Sequence, residues 1–151
     1  MKYFTRELWR GINSSDINEK ESAYIQWEEN TLNYETYIKS LKSIKIKKFL
    51  KKAKLYDDFH DYDINSVIYN IERNTCDILL SYCGKRTQLH LWGICSIHAD
   101  MQSLDLTFPK LRWGYYEIEL LSNKRLLFSV IFDMENEIEI TANGVRMREV
   151  M

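Results

Sequence analysis

Three runs decide the fold: Tyr116-Glu117-Ile118-Glu119-Leu120, Leu126-Leu127-Phe128-Ser129-Val130-Ile131-Phe132 and Glu137-Ile138-Glu139-Ile140. In the first and third, apolar and acidic residues alternate strictly. The second is apolar at almost every position. Strand side chains point alternately to opposite faces, so a period of two means one face buried and one wet. The runs predict an antiparallel sheet whose middle run is its most buried strand. Glu117, Glu119, Glu137 and Glu139 fall on the face away from the core. That acidic face is expected to be open and is a candidate for contact with a partner.

Upstream of these runs the same period returns. Val67, Tyr69 and Ile71 alternate with Ile68 and Asn70, and Cys76, Ile78, Leu80 and Tyr82 alternate with Asp77, Leu79 and Ser81. Asn74 marks the turn between them, and Gly84-Lys85 fits a two-residue hairpin with glycine first. Gln88 to His98 predicts one further strand. Ala99 to Lys110, with Pro109, reads as a loop or edge connection. Asn123-Lys124 and Asp133 to Asn136 are the turns between the three quoted runs, and Asn143-Gly144 is a turn or bulge signal.

The N-terminal third has helical spacing instead. Phe4, Leu8, Trp9 and Ile12 recur on one face, with Thr5 as a cap. Asp16, followed three residues on by Glu19, opens a long helix running to about Lys42. Tyr24, Trp27, Thr31 or Leu32, Tyr34, Ile38 and Leu41 keep roughly one face, which is expected to pack against the sheet. Helices first and strands after predict an α+β fold, with N-terminal helices packed on one face of a mostly antiparallel sheet of about six strands. At 151 residues the chain fits one domain, with a helical part over 4–55 and a sheet part over 63–149.

Charge is unevenly placed. Lysines 39, 42, 45, 47, 48, 51, 52 and 54 follow one another with no acid among them, and Ile46, Phe49, Leu50 and Ala53 fall at helical spacing. This is a basic amphipathic helix, and Lys47, Lys48, Lys51 and Lys52 are candidates for contact with a polyanion or nucleic acid. The stretch lacks the interleaved arginines and aromatics that base readout or stacking uses. The formal net charge of −1 also argues against a dedicated nucleic-acid binder. The sign flips at once in Asp57, Asp58, Asp61 and Asp63. No apolar run reaches the ~20 residues of a membrane span, and Met1 to Glu7 carries no apolar signal-peptide core. Three cysteines, an odd number, fit free thiols in a cytoplasmic protein.

No catalytic signature stands out. The possible ligands are Cys76, Cys83, Cys95, His60, His90 and His98, with no C-x-x-C pair, and neither metal nor cofactor is expected. Cys95 and His98 are three apart, which on a strand puts them on opposite faces. His60-Asp61 is a pair that HD phosphohydrolases use as metal ligands. Those are all-helical, however, and here the pair precedes a β region, where it reads as a turn device. Phosphate-binding glycine loops, H-E-x-x-H and G-x-S-x-G are absent from the sequence, so the protein is expected not to be an enzyme. Trp92, Trp113, Tyr115 and Tyr116 form either part of the core or an aromatic patch suited to a protein partner.

Two stretches carry a resemblance. Met1-Lys2-Tyr3-Phe4-Thr5-Arg6-Glu7-Leu8-Trp9 resembles the start of small Bacillus-type proteins grouped as domain of unknown function family 4085. His60-Asp61-x-x-Ile64, then Tyr116 to Leu120 and Phe132-Asp133 before Glu137 to Ile140, are similar to its later part. Where related sequences carry Asn-Gly, this chain has Asp133-Met134-Glu135-Asn136. The resemblance implies a bacterial, cytoplasmic protein and supplies no catalytic residues. The style, helices followed by an antiparallel sheet, is also similar to immunity proteins that neutralise toxins, an analogy of architecture only. The expectation is a non-catalytic protein-binding module of immunity type, with polyanion binding through Lys39 to Lys54 as the alternative.

Overall fold

A computed structural model describes residues 1–101, 111–122 and 124–150, with the side chain of Met134 excepted. The expected Pro109 connection and Asn123 fall outside the described residues, apart from Ala99 to Met101. The chain divides into two compact units, Met1–Lys42 and Ser43–Met151. The basic helix therefore belongs with the strands rather than with the first two helices.

The first unit holds α1 (Arg6–Ile12) and α2 (Ile17–Ser40). Thr5 caps α1 by accepting from the Leu8 amide, and Asp16 caps α2 by accepting from Asn18 and Glu19. The capping box is only half made. The Glu19 carboxylate takes the Ser14 hydroxyl instead of the Asp16 amide. On α2 the inward row is Ala23, Trp27, Asn30 and Tyr34. Trp27 meets Phe4 with ring centroids 4.6 Å apart, Tyr34 meets Tyr3 at 5.2 Å, and Asn30 donates to the Tyr3 carbonyl. Tyr24 (49% exposed) and Leu32 (66%) point to solvent, contrary to the expected stripe. At 100° per residue, shifting the starting residue from 24 to 23 moves the stripe by more than a quarter turn.

The second unit opens with α3 (Ile44–Ala53), capped by Ser43, with Ile46, Phe49 and Ala53 buried as its spacing predicted. A 3-10 segment, Lys54–Phe59, follows. The sheet has eight strands: β1 (Asp63–Asn70), β2 (Thr75–Tyr82), β3 (Lys85–Trp92), β4 (Ser96–Asp100), β5 (Leu111–Leu120), β6 (Leu126–Phe132), β7 (Glu137–Ala142) and β8 (Gly144–Val150). All pairs are antiparallel, in the order β4-β7-β6-β5-β1-β2-β3-β8. The α+β class and the antiparallel sheet are as expected, but eight strands replace about six. The expected strand over 88–98 is two, and the residues after Gly144 form one more.

Both differences have one cause. β3–β4 and β7–β8 form a long bent ribbon, with its corner held by Asn143 N–H donating to Trp92 O (2.9 Å) and Cys95 N–H to Thr141 O (2.8 Å). Gly93 turns the corner with φ +63, where a Cβ would also collide with Asn143. The halves β1-β2-β3-β8 and β5-β6-β7-β4 thus meet at this corner and again where Asp63 and Ile64 pair with Arg112 and Leu111. The β2–β3 turn is Cys83-Gly84, one residue earlier than expected, because Tyr82 pairs with Lys85. Both turn residues have positive φ, as a primed two-residue hairpin requires.

The core lies between the bent sheet, α3 and the 3-10 segment. Phe59, Ile78, Leu80, Leu89, Leu91, Ile118, Phe128 and Ile140 are fully buried there. Trp113 and Tyr116 join this core, and Phe59 sits among Phe49, Tyr62, Trp113 and Tyr116. The entry into β1 is strained. Asp57, Asp58, Phe59 and Asp61 all have φ between 48 and 66, the left-handed region that bulky residues avoid.

Asp58 shares this segment and accepts from the Tyr116 hydroxyl (2.9 Å). Burial pushes its carboxyl above the ordinary value, more than the Tyr116 bond and Lys54 pull it down. A raised folded value means the protonated form is favoured on folding. The stability it contributes is complete below the unfolded value and is lost as pH rises through the folded one. Asp58→Asn keeps the acceptor, suits the left-handed backbone and removes the titration. It should leave stability at neutral pH unchanged or higher and steepen the acid limb, because the stability that Asp58 gains on protonation is gone, as read by thermal denaturation from pH 3 to 7. A flatter acid limb would contradict this.

Candidate binding surface

The acidic residues singled out by their alternation do share one face. Glu117 pairs with Ser129, Ser129 with Glu139 and Glu139 with His98, a row across β5, β6, β7 and β4. The Ser129 hydroxyl donates to Glu139 Oε1 (3.2 Å). The expected openness of this face is corrected, however. Glu117 is 4% exposed, and Glu119, Glu137 and Glu139 are half-buried. Alternation sets which way a strand residue points, but not what covers it.

The cysteines and histidines do not converge. No group of three His, Cys, Asp or Glu residues that could hold a metal occurs among the described residues. Cys76 is buried, which pushes its thiol up to about 11, while Cys83 and Cys95 are exposed. The Cys95 thiol donates to the Gly93 carbonyl, away from the His98 row. His60 Nδ1 meets its neighbour Asp61 (3.0 Å) at the start of the sheet.

A different surface emerges on the β1-β2-β3-β8 half. Its inner face is the core row of Cys76, Ile78 and Leu80 against Leu91, Leu89 and Thr87. Alternation puts the intervening residues on the opposite face. Pairing carries them across strands, as Ile68–Asp77–His90–Arg146 and Ser66–Leu79–Gln88–Arg148. Arg86, Arg146 and Arg148 are exposed, Ile68 is 58% exposed, and Leu79, Gln88, His90 and Trp92 are half-buried.

Trp92 ends β3 at the corner of this face, where the strand beside it carries no side chain. A Cβ on Gly144, its pairing partner, would stand 2.6 Å from Trp92 Cη2 and 2.8 Å from Cε2. The indole thus occupies the space over the β8 backbone. His90 stacks beside it (6.3 Å, 23° between planes) and the Arg146 guanidinium stands 5.9 Å from its ring. His90 Nδ1 meets Asp77 Oδ1 at 2.6 Å. This ties one carboxylate of the face to an imidazole. The other in the paired rows, half-buried Asp63, lies in the row Asp63–Ser81–Arg86, so three arginines stand against two acids there.

Of the aromatics expected either in the core or on a patch, Trp113 and Tyr116 are core. Trp92 and Tyr115 are half-buried, with Tyr115 meeting His60 at 5.3 Å. On α3, Lys47, Lys48 and Lys51 are exposed and Lys52 is half-buried, and the helix packs against β8. The arginine face was missed from sequence. Its signal was the alternation Arg86-x-Gln88-x-His90-x-Trp92 with Arg146-x-Arg148, and only the β3–β8 register joins the two.

Comparison with known proteins adds little. No protein-family model matches the chain, and no curated protein matches it. Among solved structures it is similar to an uncharacterized protein from Neisseria gonorrhoeae, with 14% identity over 61% of this chain and 94% of that one and a TM-score of 0.41. Among the described residues, no helix is long and apolar enough to cross a membrane.

Proposed function

We propose that the protein is a non-catalytic, cytoplasmic protein-binding module, and that the outer face of β1-β2-β3-β8 is its binding surface. The observation that carries this reading is Trp92. It lies over Gly144 beneath Arg146, at the end of the β3 row that also carries His90, Gln88 and Arg86. Protein interfaces concentrate binding energy in tryptophan and arginine side chains. The acidic face is a weaker candidate because Glu117 is buried and the other three glutamates are half-buried. In the narrower immunity-type reading the partner is a toxin domain.

The test is affinity capture from the cells in which the protein is made, comparing wild type with Trp92→Ala. One protein should be retained by the wild type and reduced at least tenfold by the substitution, as expected for loss of an interface anchor of roughly 2 kcal/mol or more. Equal retention by both forms would defeat the reading.

A further inference from the structure

We infer that the partner of this face presents acidic side chains, so that the surface reads a carboxylate-rich protein segment. The inference rests on the protein-binding reading above. Three exposed arginines share the face, Arg86 and Arg148 on its neighbouring strands and Arg146 over Trp92. Of the two carboxylates in the same rows, Asp77 is held by His90 and Asp63 is half-buried opposite Ser81. A fixed array of guanidinium groups matches planar carboxylates through paired hydrogen bonds and speeds the approach of an acidic partner.

An acidic protein is favoured over single-stranded nucleic acid by what lies between the arginines. Nucleic-acid platforms use several aromatic rings for successive bases. Here one indole is already covered by Arg146, and the apolar side chains elsewhere on the paired rows of the face, Ile68 and Leu79, are aliphatic. Aliphatic side chains flanked by arginine suit a peptide whose acidic residues alternate with apolar ones.

The experiment titrates the 15N-labelled full chain with a ten-residue poly-glutamate peptide and, separately, with a ten-residue oligothymidylate, following the Trp92 indole N–H. Poly-glutamate should shift that signal at low salt, with the effect fading as ionic strength approaches about 0.3 M. Arg146→Glu/Arg148→Glu should weaken binding by roughly thirtyfold or more, and Arg86→Glu less. An unchanged thermal midpoint in these exposed variants would establish that folding is intact. No shift with poly-glutamate, binding that survives the double reversal, or tighter binding of the oligothymidylate would overturn the inference. If Trp92→Ala abolishes partner capture while Arg146→Glu/Arg148→Glu does not, the protein-binding reading stands and the acidic partner falls.

Discussion

Phe59→Ala is expected to lower stability by about 3–5 kcal/mol, the range for removing a large aromatic from a closed core. Phe59 is fully buried where the 3-10 segment enters the sheet, and its ring meets Phe49, Tyr62, Trp113 and Tyr116. These partners come from α3, the entry to β1, and β5, so the cavity would open where three parts of the second unit join. Phe59 also holds φ +66, a conformation unfavourable for a bulky side chain. The surrounding packing must offset that strain, which is why the site cannot simply collapse around alanine. Urea denaturation followed by near-UV circular dichroism reads the effect. A loss under about 1 kcal/mol would mean the ring cluster is not the centre of the core.

The second large effect is expected at Gly144. Gly144→Val must displace the Trp92 indole, since even the first added carbon falls within 3 Å of three ring atoms. Overpacking of this kind costs about 1–3 kcal/mol. The larger consequence is for binding, because the indole is the aromatic anchor of the proposed surface. Partner retention should fall as far as in Trp92→Ala although the indole is still present. The two changes should also be strongly non-additive: in a Trp92→Ala background Gly144→Val has no ring to meet and should cost little. Additive losses would show that the glycine is required for some other reason.

Parts of this fold were legible because strand alternation and helix spacing are local properties. Ile46, Phe49 and Ala53 on α3 are buried as their spacing implies, and Glu117 and Glu139 share the expected face. What failed depended on partners distant in sequence. Glu117 is buried although its strand pattern is that of a wet face. The run from Gln88 to His98 reads as one strand, and only the Asn143 side chain and Gly93 backbone reveal the bend that splits it. The binding face needed the β3–β8 register, which brings Arg146 and Arg148 opposite His90 and Gln88 across more than fifty residues of chain. In the sequence those arginines are two ordinary basic residues near the C-terminus.

The most direct test of the central claim is site-specific photo-crosslinking inside the cells in which the protein is made, with benzoylphenylalanine at position 88 or position 25. Gln88 lies on the Trp92 face between Leu79 and Arg148, whereas Ile25 is exposed on α2. The account predicts a discrete protein adduct from position 88 that disappears when Trp92 is alanine, and none from position 25. An adduct from position 25 alone, or a position 88 adduct indifferent to Trp92, would contradict it.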